Sequence, residues 1–281
     1  MKLNEHVYFR KMHFAFVTLD GARIIAVYSA LLKGEKNLLV DCGVSYNFPD
    51  NEQLCFEAGL KLSDISMVVN THCHADHAGC NAILKQLYPE LVFGAHPQAK
   101  VMLEDMDLHF KTRPVPYFNF LMGGNVPIER VFCDGDVFDD TGYPVKVIYS
   151  PGHSTDSISF FLPQDRILIA GDGLMNMEEM PFYEDAGDLC ETFDKLEALN
   201  PRYIISGFNG LWDTESDGNL FAKCRERLET IQHAVEVALS ADPDLSLRDA
   251  GAAALCALNI NMPPSPLFLK GIESNIIRCA R

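Results

Sequence analysis

The segment Thr71-His72-Cys73-His74-Ala75-Asp76-His77 packs three histidines and an aspartate into six residues, and it narrows what this chain can fold into more than any other stretch. The run before it, Ile65-Ser66-Met67-Val68-Val69-Asn70, reads as a short buried strand. The four side chains therefore sit where a strand gives way to a loop and then a helix. Residues two apart in extended backbone project to the same side, so His72 and His74 face together. Asp76 and His77 follow the turn and face a neighbouring position. Imidazole and carboxylate are the ligands that hydrolytic divalent metals use, so one loop supplies two adjacent metal positions. Cys73 alternates to the opposite face and is expected to pack rather than ligate.

The order His-x-His-x-Asp-His resembles the signature of the metallo-β-lactamase superfamily, and three further elements follow the same pattern. Asp41-Cys42-Gly43 ends the apolar run Asn37-Leu38-Leu39-Val40; Ser150-Pro151-Gly152-His153-Ser154 follows Val145-Lys146-Val147-Ile148; and Ile167-Leu168-Ile169-Ala170 ends in Gly171-Asp172. The elements occur in the family's order over roughly residues 5 to 215. The resemblance implies an α/β fold, an αββα sandwich of two mixed β-sheets flanked by helices. It also implies a first metal site at His72, His74 and His153, a second at Asp76 and His77, and Asp172 bridging both. One element departs. The family's last histidine, in a Gly-His pair, is replaced here by Phe208 in Gly207-Phe208-Asn209-Gly210. Phenylalanine cannot ligate a metal, so the second site would keep Asp76, His77 and Asp172, with Asn209 or water completing it. The expected cofactor is zinc, one or two ions per chain, with iron or manganese as alternatives.

Composition bounds the partners. A formal net charge of −16, with Lys and Arg scattered, argues against a nucleic acid, whose phosphates need a basic stripe. No apolar run is long enough for a membrane-spanning helix, and the N-terminus lacks an apolar signal core. The nine cysteines, an odd number, show no disulfide framework, which points to a reduced cytoplasmic protein.

Two domains are expected, a metal-binding unit over 1–215 and a helical C-terminal extension over 216–281. In the first, strands are expected from Val7 to Phe16 and from Ile24 to Leu32, around a turn at Asp20-Gly21. A helix is expected from Gln53 to Leu60, another from Asn81 to Leu87, a strand from Leu91 to Gly94, and a helix starting at Pro97. His96, just before that helix, reads as a structural residue. The segment from Leu103 to Val126, rich in aromatics and interrupted by Pro114 and Pro116, is either a wall over the metals or an insert packed on the core. The Met175–Tyr183 stretch after Asp172 leaves the same two readings open. In the extension, Leu220, Phe221, Cys224, Leu228, Ile231, Val235 and Leu239 form one face of a long helix. Ser246 and Ser265-Pro266 open two more, the last running to about Ile277. These helices cover the sheet, join the pocket or make a homodimer contact, and His233 lies beside their stripe as an exposed or hydrogen-bonded residue.

The resemblance implies hydrolysis of an ester, lactone or thioester carbonyl of a small-molecule substrate by metal-activated water. Asp76 is the candidate to orient the nucleophile and shuttle its proton. Two other classes remain. One is a mononuclear iron oxidoreductase acting on sulfur substrates, with iron at His72, His153 and Asp172. The other is a binding or regulatory protein whose second metal site has decayed, with Phe208 as its only support.

Overall fold

The computed structural model describes residues 1–18 and 21–279. Its first sheet begins with two long antiparallel strands, β1 (Val7–Thr18) and β2 (Gly21–Leu32), paired from Val7 opposite Leu32. Asp20, half of the turn expected between them, lies outside the described residues. Strand β3 (Asn37–Val40) pairs antiparallel with β2. Helix α1 spans Phe48–Glu57, five residues earlier at its start than Gln53. Pro49 presets the first turn, and Gly59, with a left-handed φ of 73°, stops the chain beyond it. Strand β4 (Ile65–Val69) runs parallel to β3, and the metal loop follows it. Two short helices come next, α2 (Ala75–Ala78) and α3 (Asn81–Leu87), then β5 (Val92–Ala95), parallel to β4 and one residue later than expected. Helix α4 (Pro97–Glu104) begins at its proline.

The aromatic segment resolves into two short helices, α5 (Met106–Thr112) and α6 (Phe118–Met122), with Pro114 and Pro116 between them. Its aromatics divide. His109 and Phe118 are buried, together with Leu121 and Met122, whereas Phe110, Tyr117 and Phe120 face solvent. The stretch from Val131 to Phe138 crosses between sheets. Strand β6 (Arg130–Val131) closes the first sheet, and β7 (Val137–Phe138) opens the second.

In the second sheet β8 (Val145–Tyr149), β9 (Ile158–Leu162) and β10 (Ile167–Gly171) form an antiparallel meander. After α7 (Ala186–Ala198), β11 (Tyr203–Ser206) pairs parallel with β10, and β12 (Gly210–Asp213) pairs antiparallel with β11. Each sheet thus has six strands in mixed orientation. The inner faces meet in a core that includes Val7, Leu38, Val69, Val147, Phe160 and Ile169. On the outer faces, Leu54, Leu84 and Leu103 of α1, α3 and α4 pack on the first sheet. The last three helices, α8 (Leu220–Ala241), α9 (Leu247–Ala257) and α10 (Pro266–Cys279), pack with α7 on the second. This is the expected αββα sandwich with its C-terminal helices. Ser246 caps α9 as its sequence signal implies, accepting from Asp249 N at 3.2 Å, and Asn219 caps α8, accepting from Ala222 N at 3.0 Å. The buried stripe of α8 runs from Leu220 to Val235, and His233 beside it is exposed.

Met175 and Met180 belong to the buried core under these helices, and Met177 packs against it. Of the two readings of that loop, core filling describes these methionines. No described helix is long and apolar enough to cross a membrane.

Candidate metal centre

Strands β3, β4, β8, β10 and β11 deliver their following loops to one edge of the sandwich, and the candidate ligands gather there. His72, His74, His153 and Asp172 each offer a ligand atom, all within 4.8 Å of one another. Asp76, His77 and Asp172 form a second such group. Asp172 belongs to both. Its Oδ2 lies 3.3 Å from His153 Nε2 and 3.8 Å from His72 Nε2, and its Oδ1 lies 3.2 Å from His77 Nε2. His153 Nε2 and His74 Nδ1 approach to 2.9 Å, so both rings aim at one point.

Several residues hold this arrangement that do not join it. Asp41, at a left-handed φ of 59°, accepts from Thr71 N and Thr71 Oγ1, each at 2.8 Å. Its Oδ2 also lies 2.8 Å from His77 Nδ1, and that contact leaves Nε2 of the same ring for the cluster. The Phe182 carbonyl does the same for His153 through Nδ1 at 2.8 Å. Cys73 N donates to buried Asp156 at 2.7 Å, which pins the loop between His72 and His74. The Cys73 thiol is buried, turned to His109 Nε2 at 3.6 Å, and takes no part in either ligand group. The Asp-x-Gly element pointed to the position of Asp41; its grip on Thr71 and His77, and the role of Asp156, emerge only from the fold.

The electrostatics call for positive charge at this spot. Burial by itself would depress His77, yet the carboxylates of Asp172, Asp41 and Asp76 more than reverse that and hold the imidazolium well above its ordinary range. Burial tends to raise Asp172, but His77 and His153 outweigh it and keep the carboxylate charged. Burial, aided by their neighbours, drives His72 and His74 well below the usual range and keeps them neutral, as ligands must be. His153 is lowered by burial, with Asp172 opposing. His72 Nε2, His77 Nε2 and Asp172 Oδ1 are all buried without a hydrogen-bond partner. Orphaned buried polar atoms are costly, and three of them gathered in the two ligand groups around Asp172 fit bound cations. A nitrogen and carboxylate donor set suits zinc, iron or manganese.

Phe208 packs in a small apolar cluster with Met12, Phe14, Val27, Val44 and Leu121, its ring 6.4 Å from that of His153. Asn209 does not take the vacated ligand role. Its Oδ1 accepts from Met177 N at 3.0 Å and its amide donates to Met175 O at 2.9 Å, so it braces the methionine loop. The idea that Asn209 supplies an amide oxygen is thereby corrected. His96 lies apart, capping α4 through Gln98 N at 3.4 Å and stacking on Tyr149.

A two-sheet sandwich with a histidine and aspartate cluster at its strand ends defines a metal-binding αββα protein. The profile of the metallo-beta-lactamase superfamily matches residues 23–207, and the chain belongs to that family. Among curated relatives it is 28% identical over 137 residues to a hydroxyacylglutathione hydrolase of Rhizobium meliloti, covering 48% of this chain and 44% of that one. It is 25% identical over 179 residues to an atrochrysone carboxyl ACP thioesterase of Aspergillus fumigatus, covering 62% and 47%. The chain therefore spans less than half the length of these two relatives. A metallo-beta-lactamase family protein of Thermus thermophilus superposes with a TM-score of 0.73 at 17% identity, covering 97% of this chain and 93% of that one. A beta-lactamase domain protein of Burkholderia ambifaria gives 0.74 at 18%, covering 100% and 88%. At such identities the likeness speaks for the fold.

Proposed function

We propose that this protein is a metal-dependent hydrolase of an ester, lactone or thioester, the thioester suggested by what the two relatives' names describe. In this reading His72, His74, His153 and Asp172 hold one divalent ion, zinc being the first choice, and Asp76, His77 and Asp172 hold a second more weakly. The observation that carries it is the convergence of the two ligand groups on Asp172, with three buried polar atoms left for a cation. When bound, the metal supplies an activated water and polarises the substrate carbonyl.

The chain's own residues do the rest. Asp41 and the Phe182 carbonyl orient His77 and His153 by holding the outward ring nitrogens. Asp76 sits at the rim with 19% of its side chain exposed, where its carboxylate takes and returns a proton. Burial raises its pKa, with Asp172 adding and His77 opposing, which moves it toward the range useful for proton transfer. The apolar cluster around Phe208, which Ala75 joins beside Asp76, limits water on that side. Residues 1–215 act as the metal-binding unit, and 216–281 as a helical extension packed on its second sheet. A cytoplasmic location fits the nine free cysteines.

The test pairs elemental mass spectrometry of protein purified without added metal or chelator with turnover of a thioester and lactone panel. His72→Ala, His74→Ala and His153→Ala are each expected to lose metal and activity together. Unchanged metal content and turnover in all three would overturn the reading.

A further inference from the structure

Arg113 follows α5, the helix laid against the metal loop through the contact of His109 with Cys73 at 3.6 Å. Its backbone N donates to His109 O at 2.9 Å, which fixes where the side chain departs. Its side chain is only 15% exposed, and among the described residues its guanidinium makes no hydrogen bond. Among the described residues its one ionic partner is Glu184 Oε1 at a loose 3.6 Å, and Lys270 Nζ shares that same oxygen at 3.4 Å. Two cations thus lean on one carboxylate. Glu184 belongs to the segment that abuts His153: Glu184 N donates to Gly152 O at 2.7 Å, and Phe182 O holds the His153 ring. The Arg113–Glu184 pair therefore spans from the His74 side of the cluster to the His153 side.

A guanidinium carries five donors in a rigid planar fork, and one with no hydrogen bond and a single loose ionic contact keeps donors available for a ligand. The fork matches a carboxylate in a bidentate pair. One such fork, in a chain of net charge −16, suits a singly charged carboxylate better than a polyanion.

The geometry points to Arg113 as a specificity-determining residue that binds a carboxylate carried by the substrate, so that the substrate class is an ester or thioester with a free carboxylate on its acyl or leaving part. This rests on the hydrolase reading above. Glu184 occupies the fork loosely when no substrate is present and yields it to the incoming carboxylate, while Lys270 retains Glu184.

The experiment uses the full chain loaded with zinc. Binding is read by calorimetry with non-hydrolysable ketones of the form carboxylate–methylene chain–CO–CH2–phenyl, from succinyl to adipyl length, against the same ketones ending in a carboxamide. Turnover is read with the matching S-phenyl thioesters. The wild type is expected to favour the carboxylate of at least one chain length by about tenfold or more, in affinity and in KM. Arg113→Met is expected to reduce that preference to about twofold or less, and Arg113→Lys to keep part of it. Glu184→Gln, which removes the competing anion, is expected to raise it. Zinc content and melting temperature verify that each variant is folded and loaded.

Equal affinities for carboxylate and carboxamide ligands in the wild type at every length would overturn the proposal, as would a preference that survives in Arg113→Met and so belongs to the metal. A preference lost in Arg113→Met but accompanied by no thioester turnover would leave the anion site standing and overturn the hydrolase reading alone.

Discussion

Gly207 offers the sharpest test of how the cluster is assembled. A Cβ placed there would lie 2.0 Å from Asp172 Oδ1, 3.0 Å from His77 Cε1 and 3.1 Å from Gly171 O. Gly207 is not among the glycines with a positive φ, so alanine meets no backbone penalty and its effect falls on the site. To move from 2.0 Å to the 3.4 Å of ordinary contact, the Asp172 oxygen must retreat by about 1.4 Å. Metal–ligand distances tolerate about 0.2 Å. The retreat therefore removes the residue that both ligand groups share. A misplacement near 1 Å costs roughly a hundredfold in rate, about 2.7 kcal/mol of transition-state stabilisation. Overpacking adds about 1–3 kcal/mol against folding. The assay compares Gly207→Ala with wild type in metal per chain, in melting temperature with and without chelator, and in kcat/KM on the best substrate of the panel. The expected signature is a metal content below the wild-type value and a stabilisation by metal that largely vanishes. Full metal content with kcat/KM within about threefold of wild type would refute the clearance argument, because it would mean that Asp172 has room to move without leaving the ions.

Two further predictions concern residues that touch the loop. Asp41→Asn keeps a side chain that tolerates the left-handed backbone at φ 59° but loses the charge that faces His77 Nδ1; metal affinity, measured by competition with a chromophoric chelator, should fall by about 10–100-fold, and unchanged affinity would remove Asp41 from the account. His109 is buried, and burial lowers its pKa to about 4 from 6.5, so the unfolded chain takes up a proton that the folded one refuses. Stability is therefore lost as pH falls from about 6.5 toward 4, by about 3 kcal/mol at most. His109→Leu should flatten that part of the denaturant-derived stability curve relative to wild type, and parallel curves for the two proteins would refute it.

The outline of the centre was legible because its first four candidate ligands are neighbours in sequence. A strand, a two-residue alternation and a helical turn place His72, His74, Asp76 and His77 by local geometry alone. His153 and Asp172 were legible for another reason: each ends a short apolar run at a Gly-His or Gly-Asp step, a pattern carried by the family resemblance. Helix α1 starts five residues before the expected Gln53, where Pro49 marks its first turn. Asn209 was misread because its amide answers to Met175 and Met177, more than 30 positions away in the chain. Arg113 left no mark in the sequence, since nothing near Pro114 and Pro116 shows that the helix before them leans on Cys73.

The order of strands and helices, the ligand-rich loop and the absence of a histidine at Phe208 are properties of the sequence by itself, because each depends on residues close together in the chain. Hydrophobic alternation and turn residues act over a few positions, and a pattern read over that range survives any tertiary arrangement that buries it. The tertiary structure decided what meets what. It set Asp172 between two ligand groups, turned Asn209 to the methionine loop, put Asp41 behind His77, divided the aromatics of the Leu103–Val126 segment between core and solvent, and left Arg113 with only a loose pairing to Glu184. Those outcomes depend on distances between loops from both sheets, and only the packing of one sheet on the other determines them.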